Sequence, residues 1–236
     1  MYASPDSERL ARVFAGPGRP VLEALAALDA QWRLAVRPGI DHGLAHATLA
    51  WWRTELGRLN ERAPEHPLTR QLARAATGPV DFSLLGARLD AADLALGGFA
   101  PESLAQLEAL AARSHGSLWQ LAAQLLSPAA AAPVIAGAAT LGRAFGLMAY
   151  QREAADTATE ASGIGAAALL ARALALLDAS EVALPAHGAP ALAALLIARA
   201  LERARLARAP RATPTRFVQL WIAWRAARRA HRNAPP

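Results

Sequence analysis

Alanine and leucine, two of the strongest helix formers, supply 63 and 37 of the 236 residues, and proline and glycine cut this material into lengths that suit helices. Pro5 opens a short first segment and Pro17-Gly18 closes it. Further segments run from about Pro20 to Val36, Asp41 to Arg62, and through Leu68 and Leu72 to Gly78-Pro79. Others run from Asp81 to Leu96, Pro101 to Leu126 and Ala131 to Thr157, then from Gly165 to Leu177, Ala189 to Arg208 and Thr215 to His231. Leu44, Leu49, Trp52, Leu56 and Leu59 follow helical spacing and read as one apolar stripe. The short connections predict antiparallel neighbours in a single all-α bundle of about ten helices spanning 1–236, with a short tail at 233–236. Trp52, Leu85, Leu89, Leu118, Leu121 and Leu147 are expected inside it, with the third, fifth, sixth and seventh helices framing the centre.

The chemistry that composition excludes is equally definite. With no cysteine, the chain has no disulfide scaffold, thiol nucleophile, zinc ribbon or iron–sulfur site. Residues 1–12 carry Asp6, Glu8, Arg9 and Arg12 and read as no signal peptide. The apolar run from Pro128 to Leu141 is dominated by alanine and reads as too weak for a transmembrane helix. The expected location is cytoplasmic, peripheral to the inner membrane. The net charge is +6, all of its basic part from arginine.

Three constellations bear on function. His42 and His46 share a helix face, a spacing that can bind a metal, but no third ligand accompanies them. Glu153 and Asp156 lie at i,i+3 with Arg152 beside them. Carboxylates so placed can hold Mg²⁺, and an arginine can hydrogen-bond a diphosphate; the plainer reading is a solvated helix end. In the last helix Phe217, Leu220, Trp221 and Trp224 form one face, with Arg216, Arg225, Arg228, Arg229 and Arg232 largely off it. The apolar face is expected to pack Leu220 and Trp221 on the bundle, leaving the arginines to attract an anionic membrane surface. No nucleic-acid motif is present.

Several pieces, in order, resemble the squalene/phytoene synthase family. Arg19 to Arg33 resembles its first core helix, and Trp51-Trp52-Arg53-Thr54-Glu55-Leu56 its "WW..EL" helix. His66-Pro67-Leu68-Thr69 resembles the "HPv" helix start. Leu89-Asp90-Ala91-Ala92-Asp93-Leu94, followed by Leu104 to Leu118, resembles the family's next block. Leu141-Gly142 with Ala144 and Arg152 resembles "lG.A.q..n..RD..ED". The resemblance covers about residues 10–230. It implies an isoprenoid-synthase-type bundle around a central cavity, in which two Asp-rich motifs bind Mg²⁺ and activate prenyl diphosphates.

The sequence departs from that pattern where the chemistry lies. Ala35, Val36 and Gly39 stand about where the first Asp-rich motif falls, and none of them ligates a metal. In the second motif Arg152 is kept as a substrate-binding candidate, and Glu153 and Asp156 remain as an incomplete metal pair. Thr157 replaces the final acid, and Gly146 and Ala149 take positions usually polar. The resemblance is nearer to the family's non-catalytic branch, which includes a mitochondrial complex I assembly factor. The expected role is therefore a non-catalytic isoprenoid- or lipid-binding protein or an assembly factor, with an isoprenoid-like lipid, an anionic membrane or a protein as partner and no cofactor. The alternative is a divergent Mg-dependent prenyltransferase. A third reading, a structural domain whose cavity has filled with side chains, would show as a packed interior.

Overall fold

The computed structural model describes residues 5–156, 164–184, 189–207 and 215–232. All the regular structure among them is helical: α1 (Pro5–Val13), α2 (Arg19–Ala35), α3 (His42–Asn60), α4 (Pro67–Ala75), α5 (Ser83–Leu96), α6 (Leu104–Ala111), α7 (Ser117–Leu126), α8 (Ala132–Asp156), α9 (Ala166–Ala183), α10 (Ala193–Leu206) and α11 (Arg216–His231). A π-helical turn, Ala112–Gly116, joins α6 to α7, so the sixth predicted segment is one helix with a π turn inside it.

Local signals fix most of the ends. Asp41 accepts a hydrogen bond from the Leu44 amide at 2.8 Å and caps α3, and Ser103 caps α6 through the Gln106 amide. His66 caps α4, its Nδ1 accepting from the Leu68 amide, and Pro67 follows at the first helical position.

The predicted core residues Trp52, Leu85, Leu89, Leu118, Leu121 and Leu147 are all buried. On α3 the buried stripe is Ala45, Leu49, Trp52, Leu56 and Leu59. Leu44 lies one position off it and is exposed, which corrects the expected stripe. Helix α8 is the central element, packed on α9, α7, α6 and the π turn. Its stretch Ala132–Glu153 is the one helix among the described residues long and apolar enough to cross a bilayer by length and composition. Just over half of its apolar window is buried against neighbouring helices, as in a core helix.

Two glycines set how closely the π turn approaches α8. A Cβ on Gly142 would lie 2.5 Å from the His115 carbonyl oxygen, and one on Gly146 would lie 2.7 Å from the Ala111 Cβ. At Gly146, a position that the resemblance assigns to a polar group, the residue is therefore small enough for the neighbouring helix to close onto α8. Trp119 and Phe145 meet edge-to-face across the same contact, with ring centroids 4.7 Å apart. The interior is correspondingly full: Trp32, Phe145, Leu25, Leu28, Leu118 and Leu121 are completely enclosed. The apolar space left between Ala11, Leu22, Trp119, Leu195 and Ala198 is about 10 Å³, roughly the least that a single water molecule needs.

Candidate functional site

Four segments converge on one polar cluster inside this apolar frame. Helix α2 supplies Asp29 and Arg33, α5 supplies Arg88, the π turn supplies His115, and α8 supplies Arg152 and Glu153. Asp29 and Arg88 are drawn in by position: Asp29 falls between Leu25 and Trp32, and Arg88 between Leu85 and Ala92, each on its helix's buried stripe. Arg88 donates through Nε to Asp29 Oδ1 at 2.7 Å, and both side chains are buried. Arg33 reaches the other oxygen of the same carboxylate at 3.4 Å from an exposed position.

The electrostatics follow from that crowding. Burial alone would raise the Asp29 carboxyl, but the surrounding cations, Arg88 among them, hold it down at about 2. Burial, reinforced by Arg88, lowers the Arg33 guanidinium from its ordinary value, while Glu153 opposes this. The Glu153 carboxyl is raised by the protein atoms around it, against the pull of Arg33, Arg152 and Arg88. More than a third of the Glu153 surface nevertheless stays accessible, so it lies at the edge of the cluster. His115 is pushed well below its usual range, first by burial and then by Arg88 and Arg33, with Asp29 opposing. Its Nε2 is sealed from solvent and its Nδ1 lies 2.8 Å from Ser114 Oγ.

The sequence-derived site residues divide accordingly. Glu153 and Arg152 join the cluster, with Arg152 half-buried. Asp156 is the last residue of α8, and its side chain lies outside the described residues. Two α2 side chains act on Glu153, first Arg33, a cation just before Ala35 and Val36, and more weakly the Asp29 carboxylate. His42 and His46 are both exposed; His46 lies 3.6 Å from Asp93, which pairs with Arg53 at 2.9 Å. Among the described residues no three His, Asp or Glu groups gather as a metal site.

These residues do not fit the Mg²⁺ that the family resemblance implies. Of the two described carboxylates, one is held by Arg88 and the other faces three guanidiniums. A hard dication needs several oxygen ligands, and here it would meet an excess of positive charge. What the arrangement does achieve is cross-linking: one buried anion ties α2 to α5, and its neighbours bring in α8 and the π turn.

Asp29, Arg33, Arg88 and His115 were missed by sequence reasoning. The available signal was a charged residue on an apolar stripe, at Asp29 and again at Arg88, because such a residue must find a buried partner. A second polar latch joins two of the family-like motifs. Glu55, buried in α3, accepts from the amides of Glu65 and His66 at 2.9 and 2.8 Å and from the Thr69 hydroxyl. Trp52 packs edge-on against both Trp32 and His66 beside it.

Together, the helices and the polar cluster between α2, α5, the π turn and α8 define an all-α bundle with charge buried at its centre. The model of the squalene/phytoene synthase family matches residues 23–160, and the chain belongs to that family. Among solved structures, a dehydrosqualene synthase in complex with a ligand superimposes with a TM-score of 0.72 at 18% identity. The match covers 94% of this chain and 91% of that one, and at such identity it establishes the shared fold. No curated protein matches the sequence significantly.

Proposed function

We propose that this chain is a non-catalytic member of the squalene/phytoene synthase family that works as a helical docking or assembly factor. The observation that carries this is the charge opposite Glu153. The α2 side contributes Arg33, and the nearby Asp29 is taken up by Arg88. Lewis-acid activation of a diphosphate needs metal ligands on both sides of the leaving group, and a guanidinium on one side repels the metal instead.

The packed interior favours assembly over a held isoprenoid. A prenyl chain needs an apolar pocket on the order of 300 Å³ or more. The apolar space between α1, α2, α7 and α10 is about 10 Å³, and the larger hollows of about 700, 490 and 320 Å³ are solvent-open and lined in part by charged side chains such as Arg74, Arg203 and Asp90. On this reading the chain has no cofactor and works in the cytoplasm, at the surface of the inner membrane, with a protein as partner.

Incubation with farnesyl or geranylgeranyl diphosphate and Mg²⁺, following diphosphate release, tests the reading. The expected result is release at background and an unchanged melting temperature, because a ligand that does not bind the folded state cannot stabilise it. Turnover that disappears in Glu153→Gln would overturn it in favour of the divergent Mg-dependent prenyltransferase.

A further inference from the structure

Helix α11 turns Phe217, Leu220, Trp221 and Trp224 away from the protein. Its buried face is Ala223, Ala227 and Ala230, which packs on α10. Phe217 is 87% exposed, and Leu220, Trp221 and Trp224 are 50, 53 and 47% exposed. This corrects the expectation that Leu220 and Trp221 pack on the bundle. Alanine lets the two helix backbones approach closely, with Ile222 packed partly on the core beside them, while Phe217, Leu220, Trp221 and Trp224 face outward.

The arginines share the outward face rather than lying off it. Arg225 stacks 5.1 Å above the Trp221 ring, and Arg228 stacks 4.9 Å above Trp224. No acidic residue occurs in α11, and among the described residues none of Arg216, Arg225, Arg228, Arg229 and Arg232 makes an ion pair. Arg225 and Arg229 also line a shallow groove of about 490 Å³ with Arg199 and Arg203 of α10.

We infer that α11 docks this protein on an anionic bilayer surface. Phe217, Trp221 and Trp224 enter the boundary between headgroups and acyl chains, and Arg225, Arg228 and Arg229 meet lipid phosphates. Interleaved tryptophan and arginine suit that boundary because each presents an apolar body and a polar end. The charge argues against a second copy of this chain, since a two-fold contact through α11 would set like-charged arginines against one another. The exposed aliphatic Leu220 and the helical ridge of aromatics argue against nucleic acid, which needs ring faces laid open for stacking. The inference stands whether or not the chain turns over a diphosphate.

Sedimentation of the full chain with phosphatidylcholine vesicles, with and without phosphatidylglycerol, at low and high salt tests it. The expected result is retention on the anionic vesicles and release by salt. Arg225→Gln with Arg228→Gln should lower partitioning at low salt about 25-fold, roughly five-fold per arginine. Trp221→Ala with Trp224→Ala should lower it as well, and both variants should keep the wild-type circular dichroism because the altered side chains face outward. In a Trp51→Phe background, Trp221 and Trp224 are the accessible tryptophans, and brominated lipid should quench them. Equal retention on neutral vesicles, full retention by the arginine variant or no quenching would each overturn the inference. So would tighter binding of an oligonucleotide than of vesicles, or a dimer that the tryptophan variant dissolves.

Discussion

The Arg88 guanidinium lies 2.7 Å from the Asp29 carboxylate, deep between α2 and α5 and 59 positions away in sequence. Each charge is tolerable there because the other is present. Removing the buried cation by Arg88→Met should destabilise the protein by about 2–4 kcal/mol, since the buried carboxylate then keeps only the longer contact to the exposed Arg33. Replacing both, Asp29→Asn with Arg88→Met, should recover much of that loss. Urea denaturation of the two variants checks this, and a double variant no more stable than Arg88→Met would contradict it.

Glu55 holds the start of α4 by accepting from two backbone amides and the Thr69 hydroxyl. Glu55→Ala should therefore cost about 2–4 kcal/mol, because several buried donors lose their acceptor at once. Thr69→Val removes one donor and leaves the amides satisfied, so it should cost about 1 kcal/mol. Equal losses in the two variants would show that the carboxylate is not the hub.

Glycines on helices separate into two kinds. A Cβ added at Gly57 would meet open space, so Gly57→Ala should stabilise α3 by up to about 1 kcal/mol through helix propensity. Gly142→Ala would gain the same propensity but drive a methyl into the His115 carbonyl oxygen, which backbone cannot easily yield. A net loss of about 1–3 kcal/mol is expected. Thermal unfolding of both variants distinguishes them, and stabilisation by Gly142→Ala would mean that α8 and the π turn are not in close contact.

Stability should fall with pH on the acid side. His115 is pushed well below its ordinary 6.5 in the folded protein, so as pH drops through about 6.5 the unfolded chain takes up that proton first. The stability it contributes is present above that pH and declines below it, by about 1.4 kcal/mol per pH unit. Asp29, lowered from 3.8 to about 2, acts the same way further down, its contribution ending as pH falls through about 2. In His115→Gln the decline between neutral pH and about pH 5 should flatten. An unchanged slope would rule out His115 as its source.

Much of the fold was legible in the sequence. Helix positions followed from alanine and leucine runs, proline and glycine breaks, and caps such as Asp41, because helical hydrogen bonds and caps are made within a few residues. The stripe through Leu49, Trp52, Leu56 and Leu59 and the burial of Leu85, Leu89 and Leu121 followed from the 3.6-residue period. Motif resemblance pointed to the family, and Glu153 and Arg152, singled out in the sequence as a metal and a substrate-binding candidate, lie together at the edge of the polar cluster.

The character of that cluster came from long-range packing. The partners Asp29, Arg88 and His115 lie on three segments remote in sequence, and only the folded bundle brings them together. Arg33 came within electrostatic reach of Glu153 through the way α2 is set in the bundle, which no local rule fixes. Period alone assigned the large residues of α11 to the core. An apolar helix face only needs something to cover it, and here the alanine face won the contact with α10 because it allows the closer approach. Short-range chemistry written in the chain sets where the helices form; which faces they present, and which charges they oppose, depends on how closely their small residues let them pack.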